Sequence, residues 1–412
     1  MVLNLVINYT APAPSDYVGW TPVPCCIYFT DVSPTARPLA IKLSNNGPSG
    51  GGQVIFSLDP AVPGKELLNF TVPGNGQKAY FWLAGNVNYP SKNDKDVSIR
   101  IINKTTYALL GTKKLMVRVR KDANKLTAQE RDRFLAAFGT LNSSGKFQIF
   151  RDMHVSNALT ESHGNFGFLP WHRTYLLDLE RELQMIDPSV SLPYWKFDVK
   201  APNVFTTSFM GTPDSMGNVQ FTASHPFRTW KVDNIVGITR KPKFNTATLP
   251  ANRVQNDEVE TLAMDPFLNF KKMESDPHGS AHLSFEGFIS DAATAPKDPL
   301  FYLLHTNVDR LWAKWQWVKD RRDITSTNTY PYLGTSTDPN AMRIGHNLQD
   351  TMWPWNSTTQ TPRPNVAPGG GVAIRPDIVA PGLNPTIRDV IDYQGKITAN
   401  AYLGYDYDDV FY

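Results

Sequence analysis

The stretch HGNFGFLPWHRTYLLDLERELQ, His163–Gln184, decides how the rest of the chain is read. Its last fourteen residues have the period of a helix. Leu176, Leu179 and Leu183 follow His172 at i+4, i+7 and i+11. The histidine therefore faces the apolar side, close to the helix start. A single histidine so placed is ordinarily a core residue held by one hydrogen bond. A different reading needs more inward-facing histidines.

The chain has them. Its eight histidines all lie at or after position 154. His154, His163 and His172 are nine residues apart. His278 and His282, in DPHGSAHLSF, are four apart, which on a helix puts them on one face. His305 lies in KDPLFYLLHTNVDRLWAKWQ, where Phe301, Val308 and Trp312 share its helix face. Burying several unpaired imidazoles together is costly, and a metal supplies the missing partner. The zinc-protease pattern needs glutamate after the first histidine of the pair, and here that residue is Gly279. No cysteine cluster supports a structural zinc or an iron–sulfur site. Six histidines exceed what one iron site with two histidines and a carboxylate would use. Two trios of neutral imidazoles suit a pair of copper ions.

The bulk numbers agree with an enzyme-sized globular protein. A chain of 412 residues has room for two or three domains, and 41% hydrophobic content supports a substantial core. The 41 basic and 38 acidic residues leave a net charge of +3 with no basic block, which argues against nucleic acid and anionic membranes as partners. No apolar run approaches the roughly 18 residues of a membrane span. The start, MVLNLVINYTAPAP, has neither a positive region nor a sustained apolar stretch. It does not read as a signal peptide, and the cytoplasm is the expected compartment. The two cysteines, Cys25 and Cys26, are adjacent, so no disulfide framework is expected.

Residues 1–112, with KLMVRV just after them, alternate short β-rich runs (CCIYFTDV, PLAIKLS, QVIFSL, KAYFWLAG, VSIRII) with Gly, Pro and Asn clusters. That pattern predicts an N-terminal antiparallel β-sandwich domain, with no histidine and no catalytic constellation. Residues 113–412 form the second domain. Its helical period begins at KLTAQERDRFLAAFGTLN, where Thr127 and Glu130 have the spacing of a capping box. Residues 323–412, rich in Pro, Gly, Asn and Thr, read as a tail wrapped over the core.

Two of these stretches, HGNFGFLPWHRTYLLDLERELQ and KDPLFYLLHTNVDRLWAKWQ, closely resemble the two copper-binding signatures of the tyrosinase family. This type 3 copper group also holds catechol oxidases and molluscan hemocyanins. LPYWKFD, HPFRTWKV, LPANRVQ and NLQDTMWPWN add lesser resemblances, and LGYDYDDVFY looks like the tyrosine motif that closes the family's catalytic core. The resemblance spans roughly residues 115–408. It implies a mainly α catalytic domain in which a four-helix bundle holds a dicopper centre. By position, His154, His163 and His172 would hold copper A, and His278, His282 and His305 copper B. His225 and His346 match no ligand position.

The implied activity is oxidation of phenols and o-diphenols to o-quinones by O2. The implied partners are O2 and a small phenol. Alternatives within the resemblance are an oxidase of o-aminophenols or of a specialised metabolite or peptide phenol, and a hemocyanin-like oxygen carrier. Glu274, four residues before His278, matches a glutamate that orients a water near copper B. Many bacterial members place Asn where this chain has Gly279, so diphenol oxidation is expected to exceed monophenol hydroxylation. Phe168 and Phe301 would pack on ligand rings. Asn307 and Asp309 would anchor their surroundings, and Arg118 or Arg120 would pair with Tyr405–Asp406–Tyr407. The chain departs from the pattern at Leu304, where many members have a second histidine, and in PYWKF, where many read PYWDW. No cysteine lies near His163 for the thioether found in many eukaryotic members.

Overall fold

The computed structural model describes residues 1–243, 255–332, 344–361 and 363–412. Of the LPANRVQ stretch, residues 249–254 lie outside the described residues. Contacts divide the chain into two compact units. One comprises residues 1–119, 375–379 and 404–412, and the other 120–374 and 380–403.

The first unit is built of nine strands: β1 (Val2–Ile7), β2 (Tyr17–Val18), β3 (Val23–Thr30), β4 (Leu39–Asn45), β5 (Val54–Ser57), β6 (Leu67–Val72), β7 (Ala79–Gly85), β8 (Val97–Asn103) and β9 (Leu109–Val117). They form a four-stranded sheet, β1-β3-β7-β5, and a five-stranded sheet, β2-β9-β8-β4-β6. Alternate residues of both sheets enter one apolar cluster: Cys25, Ile27 and Phe29 from β3, Phe81 and Leu83 from β7, Ile41 and Leu43 from β4, Ile99 and Ile101 from β8. This is the period-2 burial expected of strands with one inward face. Pairing is antiparallel except between β2 and β9, which run parallel. The sequence reading did not register β1, β2 or β6. Both cysteines are buried and free, and burial pushes the Cys25 thiol up to about 12.

Residues far downstream complete this unit. Asp406 accepts from the Trp20 and Thr21 amides at 2.9 and 3.3 Å, and the Trp20 indole donates to the Tyr407 carbonyl at 2.7 Å. Asp377 accepts from Ser15 Oγ at 3.0 Å.

The second unit is helical. Its helices are α1 (Ala128–Ser143), α2 (Phe147–Met153), α3 (Leu159–Ser162), α4 (Phe168–Ile186), α5 (Glu258–Ala263), α6 (Phe267–Phe270), α7 (Ser280–Leu283) and α8 (Leu300–Val318). The capping box forms: Thr127 accepts from Glu130 N at 3.2 Å, and Glu130 accepts from Thr127 N at 2.9 Å. α4 packs against α1 and α8. Between α6 and α7, residues 271–279 wind in tighter and wider turns, with Asp276 outside helical angles. Only Asp276 departs from helical angles, so the break precedes the two histidines of DPHGSAHLSF, which follow it one turn apart with ring centroids at 4.7 Å. No helix among the described residues is long and apolar enough to cross a membrane.

Buried charge joins the helices. Asp309 on α8 accepts from Arg173 on α4 at 2.5 Å and from Arg120 at 3.0 Å, and Arg120 also binds Glu180 at 2.9 Å. The Arg173 guanidinium lies 3.7 Å above the Trp312 ring. All four charged groups are almost fully buried. Removing one member leaves the others desolvated and under-paired, so Asp309→Asn is expected to lower stability by about 3–5 kcal/mol in denaturant melts. A change below about 1 kcal/mol would show the pairing to be incidental.

The tail explains why the polar side of α4 is also buried. Arg181 donates to the carbonyls of Ala373, Ala380 and Leu403. Asp178 accepts from Ala373 N and Trp355 Nε1, both at 2.8 Å. Burial nevertheless holds the Asp178 carboxyl up at about 6, against an ordinary 3.8. A carboxyl raised in the folded state keeps its proton longer there than in the unfolded chain. Ionising it costs folding free energy, and that cost grows between about pH 4 and 6 and stays constant above. Asp178→Asn should therefore be more stable than wild type by about 1–3 kcal/mol at pH 7.5. The advantage should vanish near pH 4. A variant less stable than wild type at pH 7.5 would overturn this account.

Candidate metal centre

Five stretches of the helical unit supply six histidines. His154 follows the last turn of α2, and His163 follows α3 in extended backbone. His172 sits in the second turn of α4, His278 and His282 just after the break at Asp276, and His305 on α8. Within the trio His154, His163, His172, and again within His278, His282, His305, one ring nitrogen per residue lies within 4.8 Å of the others. The trios meet at His172 and His305, whose rings stack at 4.3 Å.

Hydrogen bonds select the tautomers. His172 Nδ1 lies 2.9 Å from the Phe168 carbonyl, His278 Nδ1 2.7 Å from Glu274 O, and His282 Nδ1 2.6 Å from Ile289 O. A carbonyl only accepts, so each Nδ1 carries the proton and each Nε2 a lone pair. Yet His282 and His278 Nε2 stand 3.2 and 3.3 Å from His305 Nε2, and His172 Nε2 stands 3.3 Å from that of His154. His278 and His282 thus aim two lone pairs at one point beside His305, and a cation there would satisfy both. Burial lowers the proton affinity of all six rings, to about 3 for His154 and about 4 for His282, and neighbouring imidazoles add to it at every ring but His282. They are neutral at pH 7, as metal ligation requires. The donor set fits two imidazole-bound ions.

Aromatic rings hold the ligands in place. Phe168 lies 4.8 Å from both His172 and His278, and Phe301 lies 4.2 Å from His305 and 5.1 Å from His154. Asp309 ties α8 to α4 as described, and Asn307 accepts from Arg310 at 3.1 Å.

A cavity of about 200 Å³ opens on the trios, lined by His154, His163, His278, Gly279, His282, Leu283, Ser290, Ala292 and Phe301. Gly279 thus stands on its wall. Glu274 stands one layer back, its carboxylate accepting from Gly164 N at 2.5 Å, and burial pushes it up to about 7. Leu283, Ser290 and Ala292 were not anticipated. Leu283 could have been, because it follows a ligand as Gly279 does. Ser290 and Ala292 lie in a loop without periodicity. His225 stacks on Phe221 at 4.5 Å, outside both trios.

A family model described as the common central domain of tyrosinase matches residues 144–318. Tyrosinase of Streptomyces antibioticus is 32% identical over 274 residues, covering 58% of this chain and 94% of that protein. Grixazone synthase of Streptomyces griseus is 29% identical over 305 residues, covering 59% and 95%. A functional unit from octopus hemocyanin superposes with a TM-score of 0.46 at 20% identity, over 72% of this chain and 69% of that one. With a tyrosinase matched over nearly its whole length and two histidine trios set to bind ions, this chain belongs to the tyrosinase family of copper-dependent phenol oxidases, whose cofactor is a pair of copper ions.

Proposed function

We propose that the chain oxidises small phenols to o-quinones with O2 and favours o-diphenols over monophenols. His154, His163 and His172 hold one copper ion, and His278, His282 and His305 the other. When bound, the copper pair supplies the activation of dioxygen and the two-electron exchange with the phenol. The observation that carries the reading is the convergence of two neutral imidazole trios beside a cavity large enough for one aromatic ring.

The chain's own residues do the rest. The rings and apolar side chains of the cavity orient a flat substrate. A catechol gives up two electrons and two protons, and a monophenol must first lose its hydroxyl proton. Glu274, bonded to the backbone beside His163 and placed one turn before His278, is positioned to receive that proton through water. Gly279 offers that water no side chain. In the same reading the β-rich unit, expected over residues 1–112, is a sandwich that does no chemistry, and the helical unit, expected over 113–412, is the copper domain around a four-helix bundle. The absence of histidine before position 154 supports that division.

A second reading, an oxidase of o-aminophenols or of a specialised phenol, is favoured by the match to grixazone synthase, a relative named for a different product from that of the tyrosinases. Oxygen uptake with catechol, tyrosine and o-aminophenol separates the readings. Fastest turnover of catechol supports the first, and fastest turnover of o-aminophenol the second. Reversible oxygen binding without turnover of any of them marks an oxygen carrier and overturns both.

A further inference from the structure

His346 belongs to neither trio, yet both its ring nitrogens are engaged at the first of them. It is fully buried. Gly167 N donates to its Nδ1 at 2.9 Å, so that nitrogen carries no proton. Nε2 therefore does, and it faces the Thr160 carbonyl at 3.2 Å. This is the opposite tautomer from His172, His278 and His282. The ring is set to bridge two backbone groups, not to bind an ion.

The bridged residues flank His163, with Thr160 three positions before it and Gly167 four after. His163 draws little support from its own loop. It lies in extended backbone outside any helix, and its Nδ1 meets only the neighbouring Ser162 hydroxyl at 3.0 Å. Gly164 after it has φ of +73°, with open space where a Cβ would be. The loop thus gains little rigidity from its own residues.

The side that holds it is rigid. Asp350 accepts from Gly345 N, His346 N and Asn347 N, each at 3.1 Å. Tyr330 donates to the His346 carbonyl at 2.9 Å. The approach is close: a Cβ on Gly167 would stand 2.8 Å from Gly345 O and 3.1 Å from the His346 ring. Glu161, inside the loop, pairs with Arg363 and accepts from Trp353 N at 3.2 Å.

We propose that His346 is a positioning residue for His163, its neutral imidazole fastening both ends of the loop that carries this ligand. The proposal rests on the reading of His163 as a copper ligand. Outer hydrogen-bond partners of metal ligands typically carry a ten- to hundredfold effect on metal affinity.

The test uses two parents, His282→Ala and His163→Ala, in which copper is retained at the first or the second trio alone. Each is loaded with copper, challenged with a chelator, and followed by elemental analysis. His346→Asn and His346→Gln each keep one of the two hydrogen bonds and the polar character of the buried position. In the His282→Ala parent they should release the remaining copper about tenfold faster. In the His163→Ala parent the rate should be unchanged. Unchanged release in the first parent overturns the proposal. So does equal acceleration in both, which marks a general loss of stability. Parents that retain two coppers per chain overturn the ligand assignment itself, and this proposal with it, before His346 is changed.

Discussion

Alanine at His305 is expected to remove one copper per chain and to lower catechol oxidation by more than about a hundredfold, beyond the usual effect of an outer partner. Its Nε2 is the shared corner of the second trio, 3.3 Å from His278 and 3.2 Å from His282. The other two rings are oriented by the Glu274 and Ile289 carbonyls, whereas His305 projects from a long regular helix, α8. Without it two imidazoles remain, and the neighbouring His172 belongs to the first trio. His225→Ala is the matched control, since that ring lies outside both trios and should leave two coppers in place. Elemental analysis of the reconstituted protein with oxygen-uptake assays reads both. A His305→Ala protein that still holds two coppers would show the trio to be wrongly drawn.

The second large effect concerns selectivity. A phenol has a pKa of about 10, so near neutral pH its proton must be taken by a base during reaction. A catechol depends less on that help. Glu274→Gln removes the charge while keeping the shape and is expected to lower monophenol hydroxylation by about a hundredfold, with catechol oxidation within about threefold of wild type. Gly279→Asn should act in the opposite direction. The backbone at Gly279 is ordinary helix, with φ −58° and ψ −40°, and an added Cβ meets only Glu274 O, at 3.5 Å. The side chain therefore fits without strain and brings an amide to the cavity wall. The ratio of monophenol to diphenol rates should rise several-fold, with copper content unchanged. If neither substitution moves that ratio, selectivity is set elsewhere on the wall, with Leu283 and Ala292 the nearest candidates.

Much of the site was legible because its ligands come from short segments with strong periodicity. Three leucines placed His172 on the inward face of α4, and Phe301, Val308 and Trp312 did the same for His305. The broken run before α7 was not legible. The four-residue spacing of His278 and His282 does place them one turn apart, but nothing in it shows the break at Asp276 just before them, and the ring orientations depend on the Glu274 and Ile289 carbonyls. β1 and β6 were missed because, as edge strands, they are only half-buried and their alternation is weak. Nothing local marks the charged residues of α4 as buried. Their burial arises from carbonyls at Ala373, Ala380 and Leu403, about two hundred residues downstream, which no local pattern can reveal. His346 was left unassigned for the same reason.

The β unit has one consequence for the order of events at the ribosome. Its strands are complete once Val117 has been made, but the Trp20 amide and indole find Asp406 and Tyr407 only when those distant residues have emerged. Until then the sheets carry unmet backbone donors beside a buried tryptophan. Pairings across nearly four hundred residues also form late, because loop closure must precede the contacts that reward it. The helical unit is thus synthesised in full while the first unit is still waiting for its last segment. Stalled or shortened chains would expose the Trp20 region, which is where a chaperone or protease would first distinguish a finished molecule from an unfinished one.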